Sequence, residues 1–520
     1  MADGIRLETV ICLPRGRGPW PIILKRSCYP NQQVEMDWYA DVFTCRGFGL
    51  VYQWCRGTAG SEGDWEPNVH ERADGLATVE WLTGQPYTKN IGFWGDSYLG
   101  LTGWCMLDAV PESVKSMYLG VYGVDRHTSA YKDGLFRQDV LTTWAAGNTG
   151  SAIPEGVSQM DSCRYRPQEE VDEKLWGVHL DWYRDWISHP DRSSHYWSEG
   201  FWGMLKEIPT KAKIPVYIRD GWYDHHLGSA IVSYDSLSEE SKAHSVLQIG
   251  PWNHGYIPVI PFEDTKNLED DALDSVFQWF YETLVKEKKP EGAVREYVIG
   301  EDRWIEKKER AQCTETRSFY FGNGTLDAQP GQDGTLSYEY DPENPVPSHG
   351  TEAMLAHSEE QGSLAQPQPG ARPDVISFVS EPLAEGFTTD GVIEVVLYAA
   401  SDAEDTAFTA KVMEVFPDGT AVNVRGSITT LAYRNGADKR LTYMPGEKVE
   451  LRIPMWDIAW HFREGSRIRV DISSSDFPQY AVHSNYPGVW SKQSRTKIAE
   501  QTLYYGGGSP SEVRFPLIKK

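Results

Sequence analysis

The six residues Gly95-Asp96-Ser97-Tyr98-Leu99-Gly100 constrain the fold of this chain more than any other stretch. An apolar run at residues 91–94 precedes them and predicts a short buried strand, and residues 101–110 continue with helical spacing. A serine between a strand and a helix must lie on a very tight turn, which small residues such as Gly95 permit. Ser97 is therefore predicted to present its hydroxyl at a helix N-terminus, where backbone N–H groups favour a developing negative charge. A glycine-rich turn with an incidental serine is the alternative interpretation.

Two more predicted strands end in polar residues that suit a partner for Ser97. Residues 214–218 form an apolar run that leads toward Asp224, and residues 246–250 lead into His254. Both side chains thus follow the carboxyl ends of strands, where open α/β sheets place their sites. His254 would take the proton from Ser97, while Asp224 would fix the imidazole tautomer and stabilise its protonated form.

Other acids and histidines nearby compete for these two roles. Asp220 lies closer to its strand than Asp224, and spacing alone does not separate the two carboxylates. His225 and His226 adjoin Asp224, so neither could easily turn back to be held by it. His244 precedes its strand and is therefore expected at the opposite edge of the sheet. The residues alone leave two candidate acids.

Several motifs that occur in one order make the sequence similar to a known family. They are Asp3-Gly4-Ile5-Arg6-Leu7, residues 19–26 running into Cys28-Tyr29, Arg56-Gly57-Thr58-Ala59-Gly60-Ser61-Glu62-Gly63, residues 94–100, Gly221-Trp222-Tyr223-Asp224, Gly250-Pro251-Trp252-Asn253-His254, residues 465–469 and residues 473–478. In these the chain resembles the α/β-hydrolase family that contains cocaine esterase, the α-amino acid ester hydrolases, glutaryl acylases and the catalytic part of Xaa-Pro dipeptidyl-peptidases. The resemblance implies a triad of Ser97, Asp224 and His254. It also implies an oxyanion hole made by the Tyr98 backbone N–H and the Tyr29 phenol.

Tyr29 also has a physical interpretation of its own. It closes the loop after the predicted strand at residues 22–24, near where such enzymes take their second oxyanion donor. A phenol O–H would replace the usual backbone N–H, and loss of one such donor typically costs about 3–4 kcal/mol of barrier. A core tyrosine in an aromatic-rich chain is the alternative.

The pattern of predicted elements divides the chain into three parts. Residues 1–124 and 213–290 alternate short β-rich runs with helical segments, as an α/β-hydrolase catalytic domain does. Residues 125–212 lack strand signals, show helical spacing over 169–187, and are predicted to form an inserted helical cap. Residues 291–520 carry short alternating strands and turn residues, typical of an all-β sandwich. The resemblance makes that last part a jelly-roll, galactose-binding-like domain.

Charge and cysteine content narrow the partners and the compartment. The net charge of −25 argues against binding to nucleic acid or to anionic membranes, and no run approaches the ~18 apolar residues that span a bilayer. Seven cysteines at scattered spacings form no metal set and are interpreted as reduced thiols, so neither metal nor cofactor is expected. Met1-Ala2 leads straight into the first strand without a basic, apolar leader, and a cytoplasmic protein is expected. The expected partner is a small-molecule ester or amide substrate, and a homodimer is left open.

The function predicted from the sequence is cleavage of a carboxylic ester through an acyl-enzyme on Ser97, similar to cocaine esterase. In α-amino acid ester hydrolases, an acidic pair two and three residues after the triad aspartate helps to capture the substrate ammonium. His226 and Leu227 stand there in this chain, which weakens the amino-ester interpretation. The alternatives are an amide acylase or dipeptidyl-peptidase-type activity, a biosynthetic acyltransferase, and a binding protein on an inactive scaffold.

Four charged residues fall where the cap could meet the acyl group. They are Arg126, Lys132, Asp133 and Arg137. We interpret them as solvated charges on the cap surface rather than as substrate contacts, since most charged side chains of a domain are exposed.

Overall fold

The structure, a computed structural model, describes residues 1–268, 272–310, 313, 315–436 and 438–517. Within these residues, the N-terminal part folds as a nine-stranded sheet with helices on both faces. The strands up to residue 307 are β1 Thr9–Cys12, β2 Trp20–Ser27, β3 Gly49–Trp54, β4 Thr88–Asp96, β5 Val114–Gly120, β6 Tyr131–Lys132, β7 Leu135–Phe136, β8 Val216–Tyr223, β9 Val246–Asn253, β10 Ala293–Val298 and β11 Arg303–Lys307. The α-helices are α1 Gln33–Cys45, α2 Glu71–Thr83, α3 Tyr98–Trp104, α4 Arg126–Ala130, α5 Gln138–Gly147, α6 Gln159–Arg164, α7 Val171–Lys174, α8 Asp181–Ser188, α9 His195–Ser198, α10 Gly200–Glu207, α11 Leu227–Asp235, α12 Glu239–Lys242 and α13 Ala272–Phe280.

The sheet has the strand order β1-β3-β2-β4-β5-β8-β9-β10-β11. The strands from β3 to β10 run parallel, and the two edge strands β1 and β11 pair antiparallel with their neighbours. Successive residues of a strand face opposite sides, so a parallel strand covered on both faces is apolar throughout. This explains why β2 and β4 are almost continuous apolar runs in the sequence.

Each face of the sheet has its own buried cluster. On one face, Ile23 and Trp94 pack with Phe43 of α1 and Phe280 of α13. On the other, the neighbouring strand residues pack with α2, α3 and α11, and this cluster continues into the rest of the chain. Because β4, β8 and β9 are parallel, their carboxyl ends meet at one edge of the nine-stranded sheet.

The segment between β5 and β8 contains α4 to α10 and the short β6–β7 hairpin. The helical spacing predicted over residues 169–187 is broken in the structure into a 3₁₀ turn, Gln168–Glu170, and the separate helices α7 and α8. Gly177, with φ of +73°, lies between α7 and α8 in a conformation that does not continue a helix. The apolar spacing therefore reflects burial of both pieces and not one continuous helix.

The C-terminal part is rich in β-structure. Its strands are β12 Thr316–Phe321, β13 Thr325–Asp327, β14 Gly334–Tyr340, β15 Ile376–Ser380, β16 Phe387–Ser401, β17 Ala407–Val415, β18 Ala421–Thr430, β19 Val449–Phe462, β20 Arg467–Ser473, β21 Ala499–Tyr505 and β22 Glu512–Pro516. They hydrogen-bond into one further sheet, in which β19 pairs with the long strand β16.

The first sheet continues past residue 291, where the β-sandwich is predicted to begin. β10 pairs parallel with β9, and β11 pairs with β10. The first sheet therefore extends to Lys307. The change from helical to strand-like texture after α13 begins with two strands that add to this sheet.

Two structural observations concern membrane-spanning helices and the cysteines. None of the helices in the described ranges is long and apolar enough to cross a membrane. All seven cysteines are free, and Cys28, beside Tyr29, is buried.

Candidate active site

Ser97 lies on a strained turn between β4 and α3. Its φ of +56° is in the left-handed region, which residues with a side chain seldom adopt. Gly95 makes the turn possible, because a Cβ at that position would lie 2.2 Å from the Leu99 carbonyl oxygen. Tyr98 is the first helical residue, so its backbone N–H has no acceptor within the helix and stays available beside Ser97. The predicted strand, turn and helix are all observed, although the helix ends at Trp104 rather than near residue 110.

The structure brings Ser97, His254 and Asp224 into one hydrogen-bonded chain. Ser97 Oγ lies 2.9 Å from His254 Nε2, and His254 Nδ1 is hydrogen-bonded to Asp224 Oδ2. The other carboxylate oxygen, Asp224 Oδ1, accepts a 2.6 Å hydrogen bond from the His226 backbone N–H. Asp224 is fully buried, and both of its oxygens are occupied. This arrangement can hold an imidazole with its free nitrogen aimed at a hydroxyl.

The surroundings of His254 favour its protonated form. Burial alone would lower the pKa of His254, but the charge and the hydrogen bond of Asp224, with a smaller contribution from Asp96, raise it above the ordinary value of 6.5. Since the protonated ring forms when Ser97 loses its proton, the same interactions stabilise the charge that nucleophilic attack would create.

Asp96 also joins two loops of the site. Its Oδ1 accepts a 2.7 Å hydrogen bond from the Tyr256 hydroxyl, and its Oδ2 lies 3.8 Å from the buried Lys25 Nζ. Tyr256 follows His254 by two residues, and Asp96 directly precedes Ser97. This contact therefore ties the loop after β9 to the turn after β4, and the spacing of the residues in the sequence did not reveal it.

The two candidate acids are separated by geometry. Asp224 contacts His254, whereas Asp220 Oδ1 accepts a 2.8 Å hydrogen bond from the Gly221 backbone N–H and no described bond joins it to the histidine. Burial, and then the neighbouring Asp224 carboxylate, raise the pKa of Asp220 well above the ordinary value. These surroundings favour the protonated, neutral form of Asp220.

His225 and His226 lie beside this chain as neutral rings. His226 Nδ1 is 2.8 Å from Ser129 Oγ, and His225 Nδ1 is 3.8 Å from Asp224 Oδ2. Burial, reinforced by nearby positive groups, lowers the pKa of both rings well below 6.5. Ligand atoms of Asp224, His225 and His254 come within 4.8 Å of one another, but a metal there would have to displace the His254–Asp224 hydrogen bond.

Tyr29 and Ser97 line the same cavity, and a contact from the cap orients the phenol of Tyr29. Trp144 Nε1, on α5, donates a 3.1 Å hydrogen bond to Tyr29 Oη. The phenol oxygen thus acts as an acceptor toward the indole and keeps its O–H as a donor, with the Cys28 thiol as a neighbouring group within its reach. Burial raises the pKa of Tyr29 well above 10, so the group stays a neutral donor. No sequence signal identifies Trp144, which lies 115 residues from Tyr29.

The Tyr98 side chain holds the start of α3 in place through two hydrogen bonds and a ring contact. Its hydroxyl donates to Glu71 Oε1 at 3.0 Å and accepts from the Asn68 backbone N–H at 2.9 Å. Its ring stacks on Trp144, with the planes 14° apart and the centroids at 6.0 Å. The helix N-terminus beside Ser97 is therefore held by contacts to α2 and to the cap.

A cavity of about 360 Å³ opens onto Ser97. Its wall is formed by Tyr29, Asn68, Ser97, Tyr98, Tyr122, Arg126, Val140, Leu141, Trp144, Trp186, His225, His226, His254 and Leu355. Leu355 belongs to the C-terminal part of the chain. The two residues after it are held by the buried Asp139 of α5, which accepts hydrogen bonds of 3.0 Å from the Ala356 backbone N–H and from His357 Nδ1. All three parts of the chain thus contribute to the wall, which is largely apolar and aromatic, as small-molecule sites commonly are.

Two of the four charges interpreted as solvated are in fact buried. Arg126 is only 6% exposed, stacks its guanidinium 4.5 Å from the Trp186 ring and lines the cavity. Arg137 is 1% exposed. Lys132 and Asp133 are half-buried and pair with each other at 2.7 Å. The solvated interpretation is wrong for both arginines, because aromatic rings of the cap and of the C-terminal part cover their planar faces.

Comparison with known proteins gives the same family over nearly the whole chain. Residues 3–256 match the family model described as X-Pro dipeptidyl-peptidase (S15 family), and residues 287–514 match that of the X-Pro dipeptidyl-peptidase C-terminal non-catalytic domain. Cocaine esterase of Rhodococcus sp. (strain MB1 Bresler) is 27% identical in an alignment of 574 residues that covers 100% of this chain and 97% of the relative.

Solved structures of the same type show the fold. An aminopeptidase from the marine sediment archaeon Thaumarchaeota archaeon superimposes with a TM-score of 0.86 at 21% identity, and an α-amino acid ester hydrolase with a TM-score of 0.85 at 24% identity. Each comparison covers 100% of this chain and 95% of the solved chain. The predicted resemblance and the predicted fold class, an α/β domain followed by a β-rich domain, are confirmed.

Proposed function

Because this chain is a hydrolase of the X-Pro dipeptidyl-peptidase (S15) family, we propose that it cleaves carboxylic esters through an acyl-enzyme on Ser97. One observation carries the proposal. Ser97 Oγ lies 2.9 Å from His254 Nε2, while the other ring nitrogen is held by the buried Asp224. A hydroxyl, a base and an orienting carboxylate in this order are what nucleophilic catalysis requires.

In the acylation step, Ser97 Oγ attacks the ester carbonyl carbon and passes its proton to His254 Nε2. Asp224 stabilises the imidazolium that results. The carbonyl oxygen becomes negative and is received by the Tyr98 backbone N–H and the Tyr29 hydroxyl. His254 then returns the proton to the alcohol oxygen as the C–O bond breaks, and the acyl group remains on Ser97.

In the deacylation step, water takes the place of the departed alcohol. His254 removes a proton from this water, whose oxygen attacks the acyl carbon beside the same two donors. When the intermediate collapses, Ser97 Oγ leaves and recovers its proton from His254. The carboxylic acid product is released, and the starting hydrogen-bonded chain is restored.

The cavity wall favours an ester over a peptide with a free N-terminus. Recognition of an ammonium group calls for a nearby carboxylate. Among the described residues that line the cavity, none is Asp or Glu, and apart from the triad base His254 the one charged side chain is the cationic Arg126. The similarity to cocaine esterase supports the same choice, while the family model for dipeptidyl-peptidases makes amide cleavage the second candidate.

The test combines active-site labelling with a substrate panel. A fluorophosphonate should label the wild-type protein at Ser97, and 4-nitrophenyl butanoate should be hydrolysed faster than the matched 4-nitroanilide and than a dipeptide X-Pro 4-nitroanilide. Ser97→Ala should lose both labelling and several orders of magnitude of kcat. The exposed Ser151→Ala serves as the control and should match wild type. A Ser97→Ala variant that keeps a tenth of the activity would refute the proposal, and faster cleavage of the X-Pro anilide would favour the peptidase.

A further inference from the structure

Arg126 places a positive charge in the wall of the cavity that contains Ser97. It is the first residue of α4, its side chain is 94% buried, and its guanidinium lies 4.5 Å from the Trp186 ring centroid. Its Nε is buried and has no hydrogen-bond partner among the described residues. The guanidinium also interacts with the Tyr122 hydroxyl of the same wall, a neutral group that does not balance its charge.

The acid that precedes Arg126 does not neutralise it. Asp125 is bound by Arg192 at 2.6 Å and lies 3.4 Å from Lys206 Nζ, and it also accepts a hydrogen bond from Thr128 Oγ1. In the described part of the chain, no ion pair joins Arg126 to a carboxylate. The charge of Arg126 is therefore not balanced by the residues around it.

The neighbouring histidines do not balance it either. His225 and His226 share the cavity wall with Arg126, and burial followed by surrounding positive groups, Arg126 among them, lowers the pKa of both. They are neutral at pH 7 and carry no negative charge at any pH. Apart from the triad base His254, the guanidinium is the only charged group that the described residues place on this wall.

A buried charge without a counter-ion is costly, so proteins bury charges mostly where something pairs with them. A guanidinium offers a planar fork of N–H donors that matches a carboxylate, and it is less strongly hydrated than an ammonium group. Arg126 lines the cavity that opens onto Ser97, so a partner can reach it from the space that the substrate would occupy. An anionic group on the substrate is the complement that the wall lacks.

We propose that Arg126 binds a carboxylate of the substrate, so that the preferred substrates are esters with an anionic group. This inference rests on the proposed esterase function, because it assigns a role to the wall of the same site. The carboxylate belongs either to the acyl half or to the alcohol half of the ester, and the chemistry at Arg126 is the same for both.

Two matched substrate pairs separate these sources. The first pair is 4-nitrophenyl hydrogen adipate and 4-nitrophenyl methyl adipate, which differ only by a charge on the acyl half. The second is 4-butanoyloxybenzoate and its methyl ester, which differ by a charge on the alcohol half. In one pair, the charged ester should have a kcat/KM about 10- to 100-fold higher than its neutral partner, the range of a hydrogen bond to a charged group.

Arg126→Gln should abolish that charged-to-neutral ratio, and Arg126→Lys should keep part of it, since it retains a charge without the planar fork. Arg192→Gln removes one positive charge from the same end of the cap, outside the cavity wall, and should leave the ratio unchanged. Thermal unfolding of each variant identifies any loss of fold. A ratio near one for both pairs in wild type, or a ratio that survives in Arg126→Gln, overturns the proposal.

Binding to a variant that cannot turn over separates this proposal from the esterase function. Ser97→Ala should bind monomethyl adipate at least about 10-fold more tightly than dimethyl adipate by calorimetry, or show the same preference between 4-butanoyloxybenzoate and its methyl ester. The Ser97→Ala, Arg126→Gln double variant should lose this difference. A retained difference in a protein without esterase activity supports Arg126 alone, and equal affinities in both pairs count against it.

Discussion

Substitution of Tyr29 by Phe tests the least usual part of the proposed mechanism, a side-chain phenol as an oxyanion donor. The change keeps the ring and its packing and removes one hydroxyl. In the structure that hydroxyl accepts a 3.1 Å hydrogen bond from Trp144 Nε1, so its O–H is the group's remaining donor. If Tyr29 donates to the oxyanion, the loss falls mainly on the transition state and not on substrate binding.

The size of the effect follows from the number of donors. Tyr98 N–H remains in Tyr29→Phe, so one of two donors is lost and kcat should fall by about 10²–10³-fold, with KM little changed. A second consequence concerns stability. Trp144 Nε1 loses its acceptor, and because this indole is only half-buried the cost lies below the about 1–3 kcal/mol of a fully buried unsatisfied donor. The variant should therefore unfold at a lower temperature, and this cost is separate from the loss of turnover.

The assay is the initial rate of 4-nitrophenyl butanoate hydrolysis by Tyr29→Phe, Trp144→Phe and the double variant. Trp144→Phe removes the donor that orients the phenol and should lower kcat by about 5-fold, the equivalent of ~1 kcal/mol for one neutral hydrogen bond. Because Trp144 would act through Tyr29, the double variant should be no slower than Tyr29→Phe alone. Trp182→Phe, which alters an indole packed against Trp144, is the control and should stay close to wild type.

A Tyr29→Phe variant with kcat within 3-fold of wild type would make Tyr29 a packing residue. A change in KM alone would instead assign it to substrate binding. Additive losses in the double variant would show that Trp144 acts independently of the phenol.

The remaining predictions concern His254 and the two carboxyl groups near it. The raised pKa of His254 places the midpoint of the ascending limb of kcat/KM above pH 6.5, since the base must be neutral and activity falls as pH drops through this pKa. Asp224→Asn removes the charge that raises it, so the midpoint should move to lower pH while kcat drops by about 10⁴-fold through the wrong tautomer; a midpoint that moves upward would contradict this. Asp220→Asn should keep kcat near wild type, because the buried carboxyl is already protonated, and a crippling loss would make Asp220 the acid instead. Asp220 ionises near pH 4 when unfolded but keeps its proton when folded, so it costs increasing stability as pH rises; the Asn variant should gain more in Tm at pH 8 than at pH 5.

The parts of the site that local sequence determines could be predicted. The turn at Ser97 is specified by an apolar strand before it and by Gly95, which admits the close approach of the Leu99 carbonyl. Asp224 and His254 follow buried parallel strands, so their placement at one sheet edge depends only on strand ends. The choice between Asp220 and Asp224 could not be made in this way. It depends on which carboxylate the turn after β8 directs at His254, and this turn is held by the hydrogen bond from the His226 N–H.

Contacts between distant segments could not be predicted from spacing. Trp144 reaches Tyr29 from the cap, and Leu355 reaches the cavity from the C-terminal part, at separations that leave no periodic signal. The extension of the first sheet past residue 291 could not be predicted for a related reason. A strand at the edge of one sheet and a strand of the next domain share the same local composition, and only pairing of β10 with β9 distinguishes them.

The burial of Arg126 likewise depends on contacts between distant segments that the local sequence does not specify. In a chain of net charge −25, an arginine near a helix start is expected to be solvated, and the net charge argues against binding to nucleic acid and anionic membranes but says little about the substrate. The net charge acts through water, however, and is screened beyond about 10 Å at 0.1 M salt. A guanidinium inside a cavity acts at contact, where the surroundings are less polar and screening is weak. What an active site attracts is therefore decided by the few charges that the fold buries beside it, and here that charge has the opposite sign to the protein as a whole.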